Sequence, residues 1–139
     1  MSLGLDVSIA VFIFGLFWVL LFIPLPGIDK TTSITVQGEE YGVKFLYNST
    51  LPEGDYWGSN DIISGETRLA TRWLPTIQFI STCSHEFQHL KFELDQPELT
   101  TEEEHERMDG LQDSILPWNW QPECIGLLDE RFSFLPVLQ

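Results

Sequence analysis

A chain of 139 residues and 16.0 kDa supports one small domain, because a single hydrophobic core is all that such a length can close. Its 21 acidic residues against 7 basic give a formal net charge of −14. That charge repels phosphate backbones and anionic surfaces, so nucleic-acid binding is excluded as an expectation. The excess suits solvated helix starts or a salt-adapted source, and composition does not choose between them.

The chain opens on an apolar run. From Val7 to Ile28 no side chain ionises, and roughly 20 apolar residues are what a helix needs to cross a bilayer. Residues 1–28 are therefore expected to form an N-terminal transmembrane anchor, ended by Pro24, Pro26 and Gly27. A cleaved signal peptide fits less well, because Lys30, the first basic residue, follows the run instead of preceding it. With no Lys or Arg before the anchor, orientation rests on weaker signs. Asn48-Ser49-Thr50 is a glycosylation sequon and two cysteines are available for pairing, so a single-pass protein with an extracytoplasmic domain over 29–139 is expected.

Beyond the anchor, "SITVQ" and "YGVKFLYN" alternate apolar and polar residues around "GEE", which reads as a β-hairpin. "STLPEGDYWGSND" is rich in turn formers and reads as a loop, and "IISGETRLATRW" as a third strand. Pro75 then stands where a helix begins. Ile77, Ile80, Cys83, Phe87, Leu90 and Leu94 recur at helical spacing, which predicts a helix over 76–94. Asp95-Gln96-Pro97 ends it. Thr101, followed by Glu102, Glu103 and Glu104, starts another helix with the stripe Met108, Leu111 and Ile115. "LPWNWQP" makes a turn, and "ECIGLLDERF" a short third helix.

His85-Glu86-Phe87-Gln88-His89 has the form H-E-x-x-H inside the best soluble helix. Histidines four apart project from one face and can reach one ion, while Glu86 sits on the adjacent flank, where it can deprotonate a metal-bound water. Zinc is the expected cofactor, since it brings the pKa of such a water to about 7. The bland alternative is a polar helix face. A catalytic zinc needs a third protein ligand. His105 is the leading candidate, sharing a stripe with Met108, and Glu123 is the alternative because it opens the last helix beside small Gly126. Glu102, Glu103 and Glu104 rank lower, because a run of acids at a helix start is usually solvated. Cys83 and Cys124, if bonded, would pin the last helix to the histidine helix, and two buried thiols are the other reading.

The order of strand, helix with His85, Glu86 and His89, acidic loop and further ligand resembles the zincin metallopeptidases. Within them, "DYWGSNDIISGETRLATRWLPTIQFISTCSHEFQHL" is similar to the SprT-like minimal zincins, through Trp57-Gly58-Ser59, Gly65 to Ala70 and the histidine motif. That resemblance implies His105 as third zinc ligand, and a gluzincin relationship would imply Glu123. It implies Glu86 as general base and proton shuttle, with Thr67 to Ala70 as an edge strand that holds an extended peptide. Tyr56 and Arg68 are candidate oxyanion stabilisers. Glu106 stands where that family carries glycine, and its basic DNA-binding regions are missing, so DNA-linked substrates are not implied.

The resulting expectation is an α+β minimal-zincin domain behind a transmembrane helix: a short antiparallel sheet, an active-site helix and two further helices. Its function would be zinc-dependent hydrolysis of peptide or protein substrates near a membrane. A zinc-stabilised assembly module without turnover, or a structural protein that binds no metal, are the alternatives. Oligomeric state and substrate specificity have no signature in the sequence.

Overall fold

The computed structural model describes residues 3–51, 57–61, 65–108 and 120–132. It is a small α+β fold in which one long amphipathic helix lies on a four-stranded sheet. α1 spans Leu3–Phe22, β1 Pro24–Leu25, β2 Lys30–Val36, β3 Glu39–Leu46, β4 Gly58–Asp61, β5 Glu66–Ala70 and β6 Leu74–Pro75. Four helices follow: α2 over Thr76–Asp95, α3 over Thr101–Met108, α4 over Pro122–Gly126 and α5 over Leu128–Arg131.

The expected transmembrane anchor does not hold. Among the described residues no helix is long and apolar enough to cross a membrane. Asp6 lies in the first turn of α1 and the helix stops at Phe22, so its charge-free part, from Val7, is only about 16 residues or about 24 Å long. A bilayer needs about 20 residues. The rest of the apolar run is not helical, because Pro24 and Leu25 pair antiparallel with Pro75 and Leu74. The single-pass location fails with it. α1 also meets α2, where Leu21 is buried, although most of its apolar side chains are exposed.

The hairpin of β2 and β3 forms as its alternation requires, with Ile34 opposite Tyr41 and Val36 opposite Glu39. Its turn is Gln37-Gly38, not the expected "GEE". Both residues have positive φ, 52° and 83°, the two-residue turn whose twist matches that of the flanking strands, and glycine takes the second position without a steric penalty. Glu39 and Glu40 consequently belong to β3.

The sheet order is β2-β3-β5-β4, and it is mixed where an antiparallel sheet was expected. β3 pairs parallel to β5, from Gly42 opposite Glu66 to Leu46 opposite Ala70, while β4 returns antiparallel along β5. Part of the predicted loop is therefore a strand: Gly58 to Asp61 form β4, and β4 lies at an edge of the sheet, whereas Thr67 to Ala70 of β5 are internal. Val43, Phe45 and Leu69 from the sheet face Phe79, Ile80, Cys83, Phe87 and Leu90 of α2 across the core.

The segment expected to be a third helix divides at Leu127 into α4 and α5. Cys124 of α4 is bonded to Cys83 of α2, with Cα atoms 5.9 Å apart. Arg131 ends α5 fully buried. Its guanidinium lies 5.0 Å over the Phe79 ring and donates to the Leu74 and Thr71 carbonyls, which turns the β6 connection against the last helix. Burial brings its pKa down to about 10.

Candidate metal centre

Pro75 starts α2 with a fixed φ of −59° and no amide to satisfy. The helix then runs unbroken to Asp95, which carries His85 and His89 one turn apart on the face away from Phe79 and Phe87. The return to α3 is short and tied down. The Gln96 amide closes on the Phe92 carbonyl at 2.7 Å, Leu99 is buried, and Arg107 reaches back to Gln96 Oε1 at 2.9 Å. Thr100 and Glu103 form a reciprocal capping box: the Glu103 amide donates to Thr100 Oγ1 at 3.2 Å and the Thr100 amide to Glu103 Oε1 at 3.1 Å. Thr100 thus caps the helix, which begins at Thr101 as expected.

This arrangement brings the chain's three histidines together. His89 Nε2 lies 3.1 Å from His85 Nε2 and 2.9 Å from His105 Nε2. All three donor atoms fall within 4.8 Å of one another. Nitrogens about 2.0 to 2.1 Å from one ion at tetrahedral angles lie about 3.3 Å apart, close to this spacing. His85, His89 and His105 could hold a metal ion. His105 is exposed and the other two half-buried, so the cluster opens to solvent on the α3 side.

The protonation pattern suits a cation. Burial and then the neighbouring His105 hold the His89 imidazole below its usual pKa, which favours the neutral ring that binds metals. Its other nitrogen, Nδ1, is 3.3 Å from Glu104 Oε1. A carboxylate at that nitrogen leaves Nε2 as the free donor.

Glu86, the next residue after His85, faces β4 and is only 9% exposed. Burial raises its pKa from 4.5 to about 7. β4 fits closely around it. A side-chain carbon on Gly58 would come 2.9 Å from Glu86 Cγ and 3.3 Å from its Oε1, so no residue with a β-carbon occupies that position without displacing the carboxyl. Asn60 Nδ2 donates to the Glu86 backbone carbonyl, and Asn60 Oδ1 accepts from the buried Thr67 hydroxyl. The base candidate is thereby held from a strand that turn-forming composition concealed.

Glu123 stands elsewhere. It accepts from Lys91 Nζ at 3.1 Å, and Lys91 also reaches Gln121 Oε1 at 2.6 Å. Gln121 in turn holds Gln88 and Ser84, at 3.0 Å each, so this face of α2 anchors the start of α4. Glu104, placed by the sequence among solvated acids, is 1% exposed. Its spacing from Met108, four residues on and also buried, is the signal that could have found it. Glu93 is its other partner, and the hydrogen bond to Glu104, followed by burial, raises the Glu93 pKa.

The remaining candidates are dispersed. Asn48 is exposed just after β3, accessible in principle to modification. Arg68 pairs with Glu66 at 2.9 Å within β5. Tyr56, Leu111 and Ile115 lie outside the described residues. Comparison of the chain with family models, with curated proteins and with solved structures gives no match.

Proposed function

We propose that the chain is a zinc-dependent peptidase in which His85, His89 and His105 hold the ion and Glu86 is the general base. The convergence of three Nε2 atoms within 4.8 Å carries this reading. An all-imidazole set of three with solvent on one side leaves a position open, as a catalytic zinc requires. Zinc bound there supplies Lewis acidity and an acidified water.

The chain's own residues supply the rest. Glu86, one residue after His85, takes a proton from the attacking water at its carboxylate and returns it to the leaving nitrogen. β4 supplies a seat for an extended peptide. Because the Ala70 amide donates to the Trp57 carbonyl, antiparallel alternation turns the backbone groups of Gly58 and Asn60 away from β5 toward the open edge. Their side-chain positions face Glu86, so an added strand would run beside the base.

Turnover of a quenched-fluorescent peptide library by the zinc-loaded chain tests the reading. Glu86→Gln is expected to lose at least about 100-fold in rate while zinc stays bound, the scale of general-base contributions. His85→Ala is expected to lose both. Full zinc occupancy with no cleavage by the unmutated chain would instead favour a zinc-stabilised assembly module.

A further inference from the structure

We propose that Glu104 is a positioning residue for the metal centre, its carboxylate accepting a hydrogen bond from the Nδ1–H of His89 so that the bare Nε2 is presented to the ion. The inference rests on the metal reading of the three histidines. Three observations carry it.

The first is burial. Glu102 and Glu103, in the same acidic run, are exposed, whereas Glu104 is 1% exposed. A carboxylate is costly to take out of water unless donors meet it. The second is geometry. Glu104 Oε1 lies 3.3 Å from His89 Nδ1, and His89 Nε2 lies 3.1 and 2.9 Å from the Nε2 atoms of His85 and His105. A proton on His89 Nε2 would aim into that cluster, while a bare Nδ1 would face the carboxylate oxygen lone pair to lone pair. Only the Nδ1–H tautomer satisfies both ends.

The third is position in the chain. Glu104 directly precedes His105, so the first turns of α3 deliver the third metal donor and the orienting group for the second donor together. The capping box between Thr100 and Glu103 sets the start of that helix. Docking α3 on α2 is then the event that completes the site. Met108, one turn beyond Glu104 and also buried, fixes which face of α3 is presented.

The experiment uses the full chain, Zn²⁺ as probe and the variants Glu104→Gln and Glu104→Ala. Zinc affinity is read by competition with a chromophoric chelator, and the His89 tautomer by long-range proton–nitrogen NMR of the imidazole ring. In the unmutated chain His89 is expected as the Nδ1–H tautomer. Glu104→Ala is expected to weaken zinc by about 10- to 100-fold, the usual cost of removing an outer partner, and to speed exchange of the Nδ1 proton. Glu104→Gln keeps an accepting oxygen, so it should retain the tautomer and lose less affinity.

Unchanged affinity and an unchanged Nδ1 proton signal in Glu104→Ala would overturn the proposal. So would equal losses in both variants with the His89 tautomer unaltered, since that is the pattern of a residue that only holds α3 in place. Failure of the unmutated chain to bind Zn²⁺ would overturn the metal reading itself, and that control separates the two failures.

Discussion

The starts of α3 and α4 make a natural pair. Each offers a glutamate in its first turn that packs against α2, and the two have opposite fates. Glu104 is buried against His89, and Glu123 is half-exposed against Lys91. His89 and Lys91 are two residues apart, which puts them on different faces of the helix. What an acid does at a helix start is therefore decided by the side chain that the facing helix presents. The two starts are also fixed differently: α4 is bonded to α2 through Cys124 and Cys83, whereas α3 is held by its cap, its turn and the histidine cluster.

The contrast breaks most completely if the cluster is not a metal centre. His89→Ala removes a donor and leaves Glu104 buried without its imidazole. It should cost more zinc affinity than the roughly 10- to 100-fold that outer partners command, read by the same chelator competition. An affinity within tenfold of the unmutated chain would mean that the other donors hold the ion without His89.

The covalent hold on α4 is tested by replacing both cysteines with serine. Joining residues 41 apart should contribute about 2 to 4 kcal/mol, measurable as a lower denaturant midpoint. Because α3 is not anchored this way, His85, His89 and His105 should still bind zinc in the folded variant. Loss of zinc at temperatures where that variant is folded would show that the two helix starts are not independent.

Glu86 gives a pH signature in the chelated, metal-free chain. Its folded pKa of about 7 lies above the unfolded value of about 4.5, so the folded state holds the extra proton between them. Stability should fall as pH rises through that window, by up to about 3 kcal/mol, and level off above it. Glu86→Gln should flatten the curve. A denaturation series that rises with pH from 5 to 7 in the unmutated chain but not in the variant would contradict the burial argument.

The smallest effect belongs to Glu123. Its ion pair with Lys91 is partly exposed, and such pairs contribute about 0 to 1 kcal/mol. Glu123→Gln should leave zinc affinity unchanged and lower stability by less than about 1 kcal/mol. A tenfold loss of zinc would restore Glu123 to the ligand set.

Much of the site could be read from the sequence because it depends on local rules. Pro75, the three-and-four spacing and the separation of His85 from His89 fix α2 and its histidine face within one helix. The pairing of Cys83 with Cys124, expected from the sequence with two unpaired thiols as the alternative, is made by the approach of α4. What was illegible depends on contacts between distant segments. β4 is made of Gly58, Ser59, Asn60 and Asp61, residues that favour turns, and it is a strand because β5 and the Asn60 link to α2 hold it there. The burial of Glu104 depends on where His89 lies across the helix pair. The apolar run to Ile28 resembled an anchor; Pro24 marks where its helical part ends, but the pairing of Pro24 and Leu25 with β6 has no local signature.

Elemental analysis of zinc in the full chain, beside His105→Ala and Glu123→Gln, tests the central claim most directly. One zinc per chain, kept in Glu123→Gln and lost or much weakened in His105→Ala, is the predicted result. Zinc retained at full affinity without His105, or no zinc in any of the three, would contradict the three-histidine centre.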